Sequence, residues 1–480
     1  LWCAESWDIF TNSNNLIPGS TERSGYSIPG SPGYGLPHYI IGPDSKQAYN
    51  DPRGVVRDRA PAALAARNMR FNEDGTGVVQ YDTGKFLNAA HIGARQGGDG
   101  ASTYDDSDIQ TPVERWVGYL FGEYELSDAL TVQTELTYAK RTASNTSYII
   151  GPRSSFVVNN DNPYIPDDLR ALLAGTDFNL GKDLDHTLTS DNRSESDVFR
   201  GLIGLEGQLF ADWTWNAYYQ YGQNKRHQDR TNVRVNAPFQ FALQAVRDPN
   251  NPNNIICKEL TKPAPDPRAI GCKPFNLFGL NNADPEALAY VYRPVFEDFD
   301  YKQHVLSGAA QGTVYEGWGA GPIAAAAGVD YRTESGLVTH GDDPEYNDFA
   351  YSFGLDYSGK IEVIEGFAEL NVPVFRDSVI GDFFEVNGAI RYTSNHATNR
   401  DTDEEKTVNA TSWKVSAIYD VIPDIRLRAS RSRDIRAAGF RELFLRNVPT
   451  EPGSVSGIVD NPTLGQQPGG NDWTPVLNGG

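Results

Sequence analysis

The chain has 480 residues, with 63 acidic against 42 basic side chains, a net charge of −21 and a pI of about 4.8. Such an acidic surface argues against nucleic acid as the main partner, because phosphate binding needs clustered Lys and Arg. Mean hydropathy is −0.49 and the best apolar run is only "GPIAAAAGV" at 321–329, which excludes membrane-spanning helices but not strands, since each strand shows lipid only alternate residues.

The chain opens on "LWCAESWDIF", with no initiating Met and no charged stretch ahead of an apolar one. A signal peptide is therefore not expected, and the sequence reads as a fragment or an interior segment of a mature protein. Residues 1–110 are rich in Gly, Ser, Pro and Asn and read as one or two large loops with a few strands, carrying a short helix at "APAALAARNMRF", 60–71. "YDTGKF", 81–86, contains an Asp-Thr-Gly triplet. In aspartic proteases such a triplet supplies one of two proton-sharing carboxylates. Only one copy is present, so no catalytic residue is assigned.

From 114 onward a single pattern repeats. "ERWVGYLFGEYELSDALTVQTELTYAK", 114–140, reads as strand, tight turn, strand, with Trp116, Gly118, Leu120, Gly122 and Tyr124 on one face and Leu130, Val132, Thr134, Leu136 and Tyr138 continuing it. Similar hairpins occur at 201–222 (turn "FADW"), 304–332 ("YEGWGAGP"), 361–392 ("FRDSVIGD") and 411–432 ("VIPD"). Asp, Gly, Pro and Ser at these corners are hairpin residues. "FFEVNGAIRYTSN", 383–395, alternates without a break, the mark of a strand whose two faces meet different surroundings.

The opposite faces carry Gln133 and Glu135, Asp330, Arg332 and Glu334, Glu365 and Glu369, and Arg426 and Arg428. Repeated from hairpin to hairpin, this demands a polar surface as large as the apolar one, which a wide watery lumen supplies. Long polar segments separate the hairpins, and loops beyond about 12–15 residues are uncommon in compact domains. Short turns at one end and long loops at the other are the asymmetry of an outer-membrane barrel. The strands are expected to span about 9–12 residues, enough for a tilted crossing. Trp116, Tyr124, Tyr138, Trp213, Trp215, Tyr219, Tyr221, Tyr392, Trp413 and Tyr419 suit interfacial girdles.

Within the loops, "PDDLRALLAG" (166–175, Asp167 as cap) and "ADPEALAYVY" (283–292, Asp284 as cap, Pro285 in the first turn) read as short helices. Cys257 and Cys272 close "CKELTKPAPDPRAIGC", a spacing that suits a local disulfide in an oxidising compartment, two free thiols being the alternative. Cys3 has no partner assigned. The seven His are scattered without zinc spacing, and no phosphate loop occurs. The acidic runs "YDDSD" (104–108), "FEDFD" (296–300), "GDDPEYND" (341–348) and "RDTDEEK" (400–406) lack a full calcium-ligand pattern. No metal or cofactor is expected. Loop aromatics Tyr164, Tyr346, Phe349 and Tyr351 are candidates to stack on a ligand.

Four motifs in order then resemble TonB-dependent outer-membrane receptors: "CKPFNLFG" with "ADPEALAYV" (272–291), "AAGVDYRTE" (326–334), "EGFAELNVPV" with "VNGAIRY" (365–392), and "LRASRSRDIRAAGFRELF" (427–444). In the last, Arg436-Ala437 precedes Glu442, Leu443 and Phe444, the family's signature there. The resemblance covers roughly 110–465. It departs where Asp330 replaces the usual Glu, and where "NPTLGQQPGG" (461–470) lacks the family's Glu.

The resemblance implies an all-β fold, a transmembrane antiparallel up-and-down barrel of 22 strands with long extracellular loops, of which about 14–18 strands are expected here by strand-plus-turn spacing. Residues 111–480 would be the incomplete barrel and 1–110 its loop-rich start. A plug domain, a TonB box and the closing strands are not recognised in the sequence. The function implied is TonB-energised uptake of a scarce solute (siderophore, vitamin or carbohydrate) at the cell outer membrane of a Gram-negative bacterium, without enzymatic activity. Its partners would be the TonB complex reached through a plug, outer-membrane lipid, and a small-molecule or oligosaccharide ligand. A passive porin or adhesin is the alternative, and a soluble secreted β-protein a weaker one.

Overall fold

The computed structural model describes residues 110–147, 156–184, 188–280, 282–341, 348–351 and 353–445, together with shorter stretches within 8–102. Ten strands form one antiparallel sheet: β1 (Val113–Ser127), β2 (Leu130–Ser147), β3 (Ser190–Gln208), β4 (Thr214–Arg234) and β5 (Tyr292–Tyr315), then β6 (Ile323–Thr339), β7 (Tyr357–Ser378), β8 (Gly381–Asn399), β9 (Glu404–Ile422) and β10 (Ile425–Arg433). Each pairs with its neighbours in sequence, an up-and-down meander whose edges among the described residues are β1 and β10, so the sheet is an open arc. All five expected tight turns lie between paired strands, at 128–129, 209–213, 316–322, 379–380 and 423–424.

Residues directly opposed across an antiparallel pair share a face, so the register carries each face around the arc. One row runs Trp215, Ala310, Ala327, Ala368, Ile390, Trp413. A row on the other face runs Tyr218, Ser307, Asp330, Glu365, Thr393. The apolar face leaves Val329 64%, Ile364 58%, Leu306 55% and Ile390 54% exposed. Water does not tolerate so continuous an apolar patch; lipid does. Tyr124, Trp215, Phe375, Phe384 and Tyr419 crowd this outward face near the tight turns, and Trp116, Tyr138, Tyr331, Tyr392 and Trp413 stand toward the other end. Phe375, Phe384 and Tyr419 pack as one cluster with ring centroids 5.6–6.1 Å apart. Trp213 instead sits in a turn, stacked on Phe210 at 5.8 Å and donating Nε1–H to the Thr313 carbonyl. The face rule bends on β10, where Arg431 and Arg433 lie opposite Val415 and Trp413. Their long stems let the guanidinium groups snorkel toward the interface.

Strand length departs from expectation. β5 has 24 residues, β7 22 and β4 21, about twice the expected 9–12, because each strand runs on past the lipid band as a polar ladder such as "QNKRHQDRTNVR" at the end of β4. Longer strands mean fewer of them, and among the described residues the wall holds ten where 14–18 were expected of the chain. For the same reason the segment after Tyr392 is mostly strand, and β8 and β9 meet across a turn at 400–403.

At the outer end, 156–184, 235–280 and 282–291 fold together with part of the chain ahead of β1. Phe71, Phe178, Leu180, Phe239, Leu243, Phe275 and Phe278 are fully or almost fully buried in one core. Phe278 stacks on Phe71 at 4.5 Å and meets Phe178 at 6.2 Å, joining all three segments. Helices α1 (Asp167–Leu173), α2 (Asn236–Leu243) and α3 (Pro285–Val291) belong to this cap. In α3, Asp284 accepts from the Glu286 N–H at 2.7 Å and Pro285 opens the first turn, as read from sequence. In α1 the N-cap is Pro166, not Asp167, and the neighbouring Asp168 reaches across to the Val78 N–H at 2.8 Å. Where a helix was expected at 60–71, the described residues hold a 3-10 turn, Leu64–Ala66, followed by the strand Met69–Phe71, because pairing with Val78–Gln80 outweighs the local Ala content. Cys257 and Cys272 are disulfide-bonded within the cap.

Candidate functional site: the lumen wall and its outer cap

The inward face is a polar surface carrying two hydrogen-bonded networks. On β8, Arg391 Nη1 lies 2.7 Å from Glu365 Oε2 on β7 and 3.5 Å from Asp330 Oδ2 on β6. Thr393 Oγ1–H donates to Glu365 at 2.6 Å and Ser307 Oγ–H to Asp330 at 2.5 Å. Further round the wall, Arg200 bridges Glu135 (2.8 Å) and Gln220 (2.7 Å), and Gln303 links Gln220 to Glu334, each at 3.3 Å. Tyr218, Gln303, Asp330, Arg332, Glu365 and Arg391 line a groove of about 320 Å³ on this face. Carboxylates and guanidinium groups alternate here at contact distance, so the wall offers donors and acceptors to a polar occupant while staying near charge balance.

Above it, the strand extensions hold a charged node built around the buried Glu297 and His340. Arg226 on β4 is bonded to Glu297 on β5, whose second oxygen is 3.3 Å from His340 Nε2. His340 Nδ1 lies 2.8 Å from Asp356 Oδ1, and the His340 N–H donates to that same oxygen at 2.9 Å. His340 and Asp356 bracket the connection between β6 and β7, so the node staples that connection's two ends. Burial works against the imidazolium, but the Glu297 and Asp356 carboxylates prevail and hold His340 above its ordinary pKa. A raised folded-state pKa gives stability that is complete below the unfolded value of about 6.5 and is lost as pH rises through the folded one. Amide exchange at 337–341 and 353–358, corrected for intrinsic rate, is therefore expected to be slower at pH 6 than at pH 9. His340→Gln is expected to remove that difference, and a flat profile in the unsubstituted protein would refute the assignment.

The family-signature residues form a strap. After β10 the chain crosses to helix α4 (Phe440–Phe444). Arg436 grips Glu442 through both carboxylate oxygens at 2.7 and 2.8 Å, and Glu442 also accepts the Gly439 N–H at 2.8 Å. Phe440 and Phe444 sit over Gly336 and Gly359, which pair directly across β6 and β7. A Cβ at either glycine would lie 2.4 Å and 2.6 Å from those rings, so only bare backbone fits. Val338, Tyr357, Ile361 and Val363 complete the buried cluster, with Leu443 partly buried beside it. Ala437 lies between Arg436 and the helix.

Sequence-marked loop residues fall into packing roles. Phe349 is buried with Val233, Val235 and Val295, under the Arg293 guanidinium at 5.2 Å. Tyr351 is half-buried beneath Arg230 at 4.7 Å. Tyr164 rests against the cap core. Tyr346, Cys3 and the run 104–108 lie outside the described residues, as does most of 341–348. The run 296–300 is no cluster, for Glu297 points inward and Asp298 and Asp300 outward. Among the described residues no group of three or more His, Cys, Asp or Glu is placed to hold a metal. In "YDTGKF", Asp82 accepts the Gly84 N–H at 3.0 Å, a simple turn. Arg200 and Arg226 were not singled out from sequence, although extending the period-two count along β3 and β4 puts both inward.

An arc of long antiparallel strands, apolar outside and polar inside, with tight turns at one end and a folded cap at the other, is the wall of a large outer-membrane-type β-barrel. A family model described as "TonB dependent receptor-like, beta-barrel" matches residues 153–473, and the chain belongs to that family, whose members are outer-membrane receptors. Among solved structures it is similar to the closed form of the ferric-catecholate import receptor Fiu from E. coli K12, at 14% identity and a TM-score of 0.33, over 72% of this chain and 52% of that one. The chain thus spans about half the length of that receptor. No curated protein matches.

Proposed function

We infer that this chain supplies the barrel portion, residues 111–480 with the loop-rich lead-in 1–110, of a 22-stranded outer-membrane receptor of a Gram-negative bacterium. The whole protein takes up a scarce solute, a siderophore, vitamin or carbohydrate, with energy relayed by TonB through a plug held in the lumen. The carrying observation is the polar inner wall from Glu135 to Arg391, held in two hydrogen-bonded networks, a surface that an apolar core would not need and a plug or hydrated solute would. The cap gives the outer mouth a folded surface on which selection is made, with the half-buried rings of Tyr164 and Tyr351 as the loop aromatics nearest to use. We assign no catalysis to it.

Uptake of a labelled solute panel by cells carrying the full-length protein tests this reading. Uptake is expected to vanish when TonB is deleted or the proton-motive force is collapsed. Uptake indifferent to both, with open-pore conductance in bilayers, would make the protein a passive pore instead.

A further inference from the structure

The strap that ends in α4 runs inside the lumen. By register Arg433, where β10 ends, is level with Trp413, Ile390 and Ala368. Gly359, the socket residue on β7, stands nine residues above Ala368 and three strands away from β10, about 30 Å up and 14 Å across. The chain from Arg433 to Phe440 reaches at most about 25 Å. It therefore leaves the wall and cuts a chord over the inner side of β8 and β9, docking its rings on the inward faces of β6 and β7.

The seat of those rings is continuous with the charged node. Val338 and Tyr357 pair directly across β6 and β7, and both are buried against the strap; the Tyr357 and Phe440 rings are 6.0 Å apart. Asp356 is the neighbour of Tyr357, and His340 follows two residues after Val338, so the His340–Asp356 contact closes the ladder exactly where the strap rests on it. A second line runs through β4 and β5. The Arg226 guanidinium lies 5.6 Å over Phe299, Phe299 stacks on Tyr301 at 5.9 Å, and Tyr301 meets the edge of Phe440 at 5.7 Å. The charged and titratable groups around His340 are Arg226 from β4, Glu297 from β5, Asp356 and Tyr351 from the β6–β7 connection, and Tyr357 from β7. Arg230 lies over Tyr351, and the strap's own Arg441 bears on Tyr357.

We propose that the strap is a pH-operated latch inside the lumen, seated on β6 and β7 while His340 carries both ring protons and released once the ring is neutral. The imidazolium donates from Nε2 to Glu297 and from Nδ1 to Asp356; the neutral ring keeps one N–H, so one carboxylate loses its donor. The end of the ladder then opens, and Val338 and Tyr357 no longer hold Phe440 in place. Coupling is reciprocal, so a seated strap also favours the protonated ring. The latch does not depend on which solute is imported: uptake in cells reports on import, and amide exchange reports on the strap.

The test uses the full-length protein in lipid nanodiscs, with amide exchange followed from pH 6 to pH 9 and corrected for intrinsic rate. Exchange at 436–445 is expected to rise roughly tenfold over that range, the effect of a single tenfold difference in proton affinity between seated and released forms. His340→Gln, which does not touch the strap cluster, is expected to flatten the profile. Gly359→Ala puts a methyl 2.6 Å from the Phe444 ring and is expected to leave 436–445 fast at every pH. In that variant 337–341 keeps its pH dependence, which shows the wall intact, but with its midpoint moved to lower pH. A flat profile at 436–445 in the unsubstituted protein, an undiminished rise in His340→Gln, or an unmoved midpoint in Gly359→Ala would overturn the latch.

Discussion

Leu370→Arg is expected to destabilise the lipid-folded protein by about 2–4 kcal/mol, while Asn371→Arg next to it costs less than about 1 kcal/mol. Leu370 lies on the outward face of β7, in register with Ala325 and Gly388. It stands midway between Phe375, near the tight turns, and Ile364, near the outer end of the apolar band. A guanidinium there has hydrocarbon on every open side. Asn371 pairs with Asn387 on the inward face, where water and polar neighbours receive the charge. Ile390→Arg falls between these limits, because Ile390 sits one row inside Tyr392 and an arginine can reach the interface. Equilibrium unfolding in vesicles measures all three. Equal costs for Leu370→Arg and Asn371→Arg would mean that the two faces meet the same medium, and the barrel reading would not survive.

Phe278→Ala is expected to cost the cap about 3–5 kcal/mol and to raise amide exchange in three places at once: 52–80, 156–184 and 236–291. Phe278 is 2% exposed, stacked on Phe71 and close to Phe178. The same junction is held by Lys182, whose Nζ donates to the carbonyls of Pro52 and Gly279. Burial pushes the Lys182 ammonium down to about 8, and Arg53, Arg70, Asp51 and Asp99 brace the segment ahead of β1 from within at 2.8–3.1 Å. If exchange rose only around Phe278 itself, the connections would be independent loops rather than one cooperative unit.

The barrel wall was largely legible beforehand. Period-two alternation is a local property, and the five tight turns carry residues whose backbone preferences act within four positions, so both survive into the fold unchanged. The α3 cap and the spacing of Cys257 and Cys272 were legible for the same reason. Strand length was not, since a polar strand extension such as 223–234 shows no change of face medium and reads like a loop.

Sequence alone determined that one face of each hairpin is apolar and the other polar, and that tight turns gather at one end. Only tertiary structure decided that Phe71, Phe178 and Phe278 share a core, and that Gly336 and Gly359 form a socket for Phe440 and Phe444. Alternation records what each residue's own strand sees, whereas these features depend on register between segments tens to hundreds of residues apart, which no local pattern encodes.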